Sequence, residues 1–238
     1  MRPTIATLVS GLIGLMMGAS AAHASTVTFV TPVGASTGGG AVNASASFTT
    51  DAGTLSVTLT DLQANPTDVA QTLSDLVFTL SAGQTSGTLT SSSGQQITVN
   101  SGGTFTLGPT ASTGWGLKNN VSGGLQLDAL GFIGPAGLII GPPDAGGSYS
   151  NANGSIAGNG PHNPFLDQTA TFLISVAGLT AADTVTSAAF SFGTTAGVEI
   201  AGVSPVPLPG ALPLFASGLV GLGLLGRRRK RNAKALSA

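Results

Sequence analysis

The feature that most constrains this chain is a period of two. In Thr54-Leu55-Ser56-Val57-Thr58-Leu59-Thr60, three aliphatic side chains alternate with hydroxyl residues. Side chains alternate across a strand, so Leu55, Val57 and Leu59 share one face and the hydroxyls the other. That pattern suits an antiparallel sheet with one buried and one wet face. Ala44 to Thr50 precedes it as a second strand, and Asp51-Ala52-Gly53 between them has hairpin-turn chemistry. Further short strands are expected at Val27–Val30, Leu76–Leu80, Gly87–Thr90, Gln96–Asn100, Thr104–Leu107, Leu125–Leu130, Gly137–Ile140, Ala170–Val176, Thr184–Phe192 and Val198–Val203, most of them divided by Gly- and Ser-rich turns. One stretch departs from the pattern. After Asn65-Pro66, Val69, Leu73 and Leu76 fall at helical spacing, with Thr67 as a cap and Asp68 in the first turn, which predicts one or two helical turns.

Many short strands without a sustained helix predict an all-β protein, a single antiparallel β-sandwich of jelly-roll type, over residues 25–203. No period of repeat-protein length recurs convincingly. Residues 141–164 have almost no apolar run and many Gly, Pro and Asn, the mark of a long functional or mobile loop.

Charge excludes several functions. Only 7% of the 238 residues are charged, against about 25% in an average protein. Between Ser25 and Val206 the single base Lys118 faces nine acids, a formal charge of −8. Such a segment cannot neutralise phosphates, so no nucleic acid is expected as a partner. Cysteine is absent, which removes disulfides, thiol nucleophiles and Cys-ligated metal sites. With so little charge, hydration falls to the Ser and Thr hydroxyls, which are also potential O-glycan acceptors.

Candidate chemistry is sparse. His23 would leave with a cleaved leader, so a Ser-His-Asp arrangement could use only His162, in Gly160-Pro161-His162-Asn163-Pro164, and no Gly-x-Ser-x-Gly elbow exists. Paired carboxylates could hydrolyse glycosides, but the acids are scattered singly at turn-like positions. Oxygen-ligated calcium has one faint candidate, Asp144 with Asn151-Ala152-Asn153-Gly154. No metal and no cofactor are expected. Trp115 and Tyr149, near loops with Phe165, are candidate stacking residues for a glycan, although Trp is usually mostly buried.

The ends speak about destination. Residues 1–24 have Arg2 as a positive start, an apolar run from Leu8 to Met17, and Ala22 and Ala24 as the small residues of a cleavage site. This is a signal helix cut before Ser25 by signal peptidase; a retained anchor is the alternative. At the other end, residues 204–238 hold a Pro-rich motif (Val206, Pro207, Leu208, Pro209, Gly210), an uncharged span 208–226, and the basic block Arg227, Arg228, Arg229, Lys230 and Arg231. The span fits a short transmembrane helix; a buried core helix is the alternative. The basic block would stay on the cytoplasmic side and place residues 25–203 on the other.

At those residues the chain resembles the PEP-CTERM sorting domain of Gram-negative bacteria, which has a Pro-rich signature, a hydrophobic helix and an Arg-rich end in that order. Leu208 stands where the namesake tripeptide has its acidic residue, so the resemblance is to a Val-Pro-Leu-Pro variant. It implies cleavage near the Pro motif by an exosortase, a membrane transpeptidase-like protease. It also implies passage from an inner-membrane-held precursor to the cell surface or matrix, with exopolysaccharide as an associated partner. The 25–203 segment is more loosely similar to the Gly/Thr/Ser-rich β ectodomains of such proteins, and that similarity names no activity. The expectation is a non-enzymatic exported surface or biofilm-matrix protein. A glycan-binding surface module and, further off, a secreted glycoside hydrolase are the alternatives.

Overall fold

The structure is a computed structural model and describes residues 24–130, 137–195 and 199–204. Within them the chain is nearly all β. The strands are β1 (Ser25–Val30), β2 (Ser36–Thr37), β3 (Gly40–Ala41), β4 (Ala44–Asp51), β5 (Thr54–Asp61), β6 (Leu73–Leu80), β7 (Thr88–Val99), β8 (Phe105–Ala111), β9 (Gly116–Val121), β10 (Gly124–Asp128), β11 (Ile139–Ile140), β12 (Phe165–Ser175), β13 (Val185–Phe192) and β14 (Glu199–Ala201).

Twelve of these strands join in one branched sheet, and β2–β3 form a small separate ribbon. One arm runs β1-β4-β5-β12-β7-β8, antiparallel at every step. The other runs β9-β10-β6-β13-β14, also antiparallel. Between them lies β11, paired antiparallel with β6 through Leu73 and parallel with β12 through Leu166 and Asp167. The arms meet again where Val30 and Val203 exchange both main-chain hydrogen bonds, at 2.9 and 2.8 Å.

The apolar faces of the arms share one core. Phe48 of β4 meets Phe78 of β6 with ring centroids 5.2 Å apart, and Phe29 of β1 meets Phe48 edge-on at 6.1 Å. Each buried ring contributes on the order of 2–3 kcal/mol of transfer free energy. Away from the core, the first arm turns hydroxyls outward. The register aligns Thr28, Ser47, Thr58, Thr171 and Ser93 in one row across five strands.

The hairpin expected at Asp51–Gly53 forms, with Gly53 at φ +71 and the Asp51 carboxylate accepting from Ala52 N at 2.7 Å. The helical reading of 67–76 is corrected. Only Val69–Gln71 form a turn, of 3-10 type, and Asp68 rather than Thr67 is its cap. Asp68 Oδ1 accepts from Ala70 N at 2.9 Å, while Gln71 Oε1 accepts from Asp68 N at 3.1 Å and Thr67 N at 2.7 Å. This reciprocal box closes after one turn because Thr72 is extended (ψ 138), which delivers Leu73 and Leu76 to β6 instead. Two further readings change. The strands expected at Gly87–Thr90 and Gln96–Asn100 fall, but for Gly87 and Asn100, within one strand, β7, that runs through Gly94, and β9 carries no alternation strong enough to announce it.

Among the described residues no helix is long and apolar enough to cross a membrane. The expected signal helix 1–23 and the span 208–226 lie outside the described residues.

Candidate functional site

The sorting residues Val206–Gly210, the basic block Arg227–Arg231 and Ala22 lie outside the described residues. Ala24 is exposed, one residue before β1 begins.

The two candidate stacking residues are corrected by their burial. Trp115 is 4% exposed and Tyr149 1%. Trp115 Nε1 donates to the Gly137 carbonyl at 2.8 Å, and its ring lies 5.2 Å from that of Phe172. Tyr149 Oη donates to the Gly141 carbonyl at 2.9 Å, and its ring packs edge-on against Phe105 at 5.8 Å. Burial, helped by the Asp167 and Asp61 carboxylates, pushes the phenol well above its ordinary range. Both rings have an apolar body in the core and a polar tip spent on main chain, so neither offers a face to a sugar. Phe165 is fully buried as well.

Residues 141–164 are knitted down by their own polar groups. Asp144 accepts from Gly146 N, Ser148 N, Ser148 Oγ and Ser150 Oγ, at 2.9, 3.0, 3.1 and 2.5 Å. The Ser150 hydroxyl leads those that hold its carboxyl below the usual range. The calcium candidate is therefore divided. Asp144 serves its own loop, while Asn153 Nδ2 donates to Asp68 Oδ2 at 2.7 Å. Among the described residues no group of three His, Cys, Asp or Glu could hold a metal ion.

His162, Ser155 and Asp68 do come to one corner, a convergence that nothing in their spacing announced. Their wiring is not that of a relay. His162 Nδ1 lies 2.7 Å from the Ser155 main-chain carbonyl, which fixes it as the donor. Ser155 Oγ donates to Asn153 Oδ1 at 2.6 Å and accepts from Val69 N at 2.9 Å. Asp68 lies below its usual range, through Ala70 N–H first and Asn153 second. A triad needs imidazole between hydroxyl and carboxylate. Here an amide occupies that place, and it cannot take a proton from the serine.

Beside this corner lies an open groove of about 430 Å³ lined by Thr98, Val99, Asn100, Ser101, Gly158, Gly160 and Asn163. Gly158, at φ +70, lets the chain approach closely: a Cβ there would fall 2.3 Å from Ser101 Oγ. Asn163 frames the groove by accepting from Val99 N at 2.8 Å and donating to the carbonyls of Val99, Ile156 and Asn159. The lining has hydroxyls, amides and main chain but no ionisable group, so its chemistry is hydrogen bonding to a neutral polar ligand.

The acids form no open catalytic pair. Asp61 is fully buried, and its carboxylate accepts from Gln63 N at 2.9 Å and Leu73 N at 3.3 Å. Burial raises it well above the usual carboxyl range despite those donors. Asp75 and Asp128 are register partners on β6 and β10, 3% and 1% exposed. Lys118 pairs with Asp128, and Gln126 donates to Asp75. Burial first, with the Asp128 and Glu199 charges adding to it, lifts Asp75 to about 7 against the pull of Gln126. A glycosidase pair must flank a cleft that admits sugar and water, and these two carboxylates are sealed.

Comparison with protein families, curated proteins and solved structures yields no match.

Proposed function

We propose that this is an exported, non-enzymatic surface or matrix protein, delivered as a membrane-held precursor and released by cleavage at the 206–210 motif. The two arms are the layers of its ectodomain, a β-sandwich of jelly-roll type. One observation carries the reading. Among the described residues the first register pair is Ser25 with Thr50, and the last is Val203 with Val30. A cut before Ser25 and a cut near the Pro motif would leave every described strand pair intact. The wiring of His162 and the sealing of Asp75 and Asp128 favour a binding or structural role over hydrolysis.

The test is fractionation of the native host with and without its exosortase. The precursor should collect in the inner membrane without the enzyme and appear outside the cell with it. Equal release in both strains would sink the sorting model.

The groove at Thr98–Ser101 and Gly158–Asn163 favours a second reading, a module for neutral glycans, which moves the contact away from Trp115 and Tyr149. Titration with neutral oligosaccharides would test it. Chemical-shift changes confined to Asn100, Ser101 and Gly158 are expected, and uniformly unperturbed spectra would remove it.

A further inference from the structure

Five strands of the second arm carry one polar row. The register aligns Gly116, Asp128, Asp75, Ser191 and Glu199 across β9, β10, β6, β13 and β14. The next pair along sets Lys118 opposite Gln126. Gly116 has no side chain to stand beside Asp128, so the lysine crosses the ladder diagonally and brings Nζ directly against Asp128 Oδ2. The two ends differ in wetness: the lysine side chain is 42% exposed, the aspartate side chain 2%.

The Asp128 carboxyl is held as an electrophile needs to be. Its Oδ1 accepts from Leu130 N at 2.6 Å, so a main-chain N–H already stands where negative charge gathers when Cγ is attacked. Asp75, its register partner on β6, has one carboxyl oxygen engaged and one idle. Oδ2 accepts from Gln126 Nε2, while Oδ1 is buried with no hydrogen-bond partner. Burial lifts this carboxyl to about 7, and the Asp128 and Lys118 charges act on it in opposite directions. A carboxyl so placed takes and gives a proton readily near neutrality.

We propose that Lys118 and Asp128 condense to an intramolecular isopeptide bond, with Asp75 as the proton relay. Lys118 Nζ passes an ammonium proton to Asp75 and attacks Asp128 Cγ. The Nζ–Cγ bond forms, charge gathers on Oδ1 against the Leu130 N–H, and the Cγ–Oδ2 bond then breaks. Two protons leave the nitrogen and both end on Oδ2, which departs as water; Asp75 hands them across and ends as it began. One ammonium and one carboxylate become one amide and one water, with no oxidant or other reactant. The reaction occurs once per chain, and groups held in contact react at effective concentrations of about 10⁵ M or more. The burial of Asp128 keeps water from the amide once it has formed. The bond fastens edge strand β9 to β10 in a chain that has no cysteine for a disulfide.

The chain supplies its own reporter, because Lys118 is the one base between Ser25 and Val206. Trypsin cuts after a lysine only where its amine is free. Applied to the denatured protein purified from its host, trypsin should leave the segment 25–206 whole. After a second protease, mass spectrometry should find residues 118 and 128 in linked peptides lighter by one water. Lys118→Arg, whose guanidinium is no nucleophile, and Asp128→Ala should both be cut at position 118. Asp75→Asn keeps the side-chain volume and an acceptor for Gln126 but relays no proton, so it should show unchanged circular dichroism and be cut after Lys118. Asp75→Glu should regain part of the bond. Complete cutting of the unaltered protein after Lys118 would overturn the proposal without any variant having to fold. So would cutting that stays blocked in Asp128→Ala, which marks another modification of the amine. Loss of water with Lys118 still cut, the sign of a succinimide at Asp128, or full cross-linking in Asp75→Asn would overturn it equally.

Discussion

Strands β5 and β6 are each eight residues long and each lies inside its arm, yet they present opposite surfaces. Strand β5 alternates perfectly, with Leu55, Val57, Leu59 and Asp61 buried and the hydroxyls between them partly exposed. Strand β6 is buried at every position but Thr79. Its inward residues Leu76, Phe78 and Leu80 match those of β5, but Asp75 and Val77 on the other face are covered too. Alternation records a difference in wetness between faces, so it fades where both are dry. The dry outer face of β6 is also where two polar atoms go unpartnered, Asp75 Oδ1 and Ser191 Oγ, on residues opposite each other in register.

That contrast can be broken most forcefully in the core. Phe78→Ala should cost about 3–5 kcal/mol, since the ring is 1% exposed and packed on Phe48. Thr58→Val, outward on β5, should change stability by only about 0.5 kcal/mol in either direction. Denaturant melts of the two variants measure the difference, and similar losses would mean that the hydroxyl face of β5 is itself packed.

Next in size is a pH effect centred on β6. Asp75 titrates at about 7 in the folded protein, far above its ordinary value of 3.8. Between those values the folded state keeps a proton that the unfolded chain has lost. Stability therefore falls as pH rises through that window and levels off above it, by up to about 4 kcal/mol from this residue. Asp61, also raised by burial, adds in the same direction. Melts of wild type and Asp75→Asn from pH 4 to 8 should show the variant sloping less. Glu199→Gln removes one of the charges that raise Asp75, so the midpoint of the decline should move to lower pH. Parallel curves for wild type and Asp75→Asn would show that this carboxyl is not the source.

A smaller loss than those of Phe78 and Asp75 is expected at the 3-10 turn. Asp68→Ala removes the acceptor for Ala70 N and the partner of Asn153, at a cost of about 1 kcal/mol. Asp68→Asn, which can still accept from Ala70, should recover most of it.

The same contrast explains what was legible beforehand. The first arm could be read nearly residue by residue in β4 and β5, and the Asp51–Gly53 hairpin followed from turn chemistry. In the second arm, the doubly buried Leu73–Leu80 passed for the end of a helix, because Val69, Leu73 and Leu76 fit a helical period while the stop at Thr72 is set by a local capping box. Strand β9, Leu-Lys-Asn-Asn among its residues, has no pattern to read, and pairing with β10 alone defines it. The parallel contact of β11 with β12 joins distant segments through two residues, too few for any periodicity. At the candidate site, loop position suggested accessible rings, but Trp115 and Tyr149 were drawn inward by Gly137 and Gly141 carbonyls that only tertiary structure supplies. The meeting of Asp68, Ser155 and His162 likewise depends on how residues 141–164 fold back over the 3-10 turn.

Ser25 and Val203, the first and last residues to pair among those described, bear on the proposal that the sheet is released as an exported unit. The intact mass of the protein recovered outside its host tests this most directly. A chain beginning at Ser25 and ending within the 206–210 motif, with or without added glycan, is the predicted result. A released chain that still carries the Arg227–Arg231 end would contradict the account.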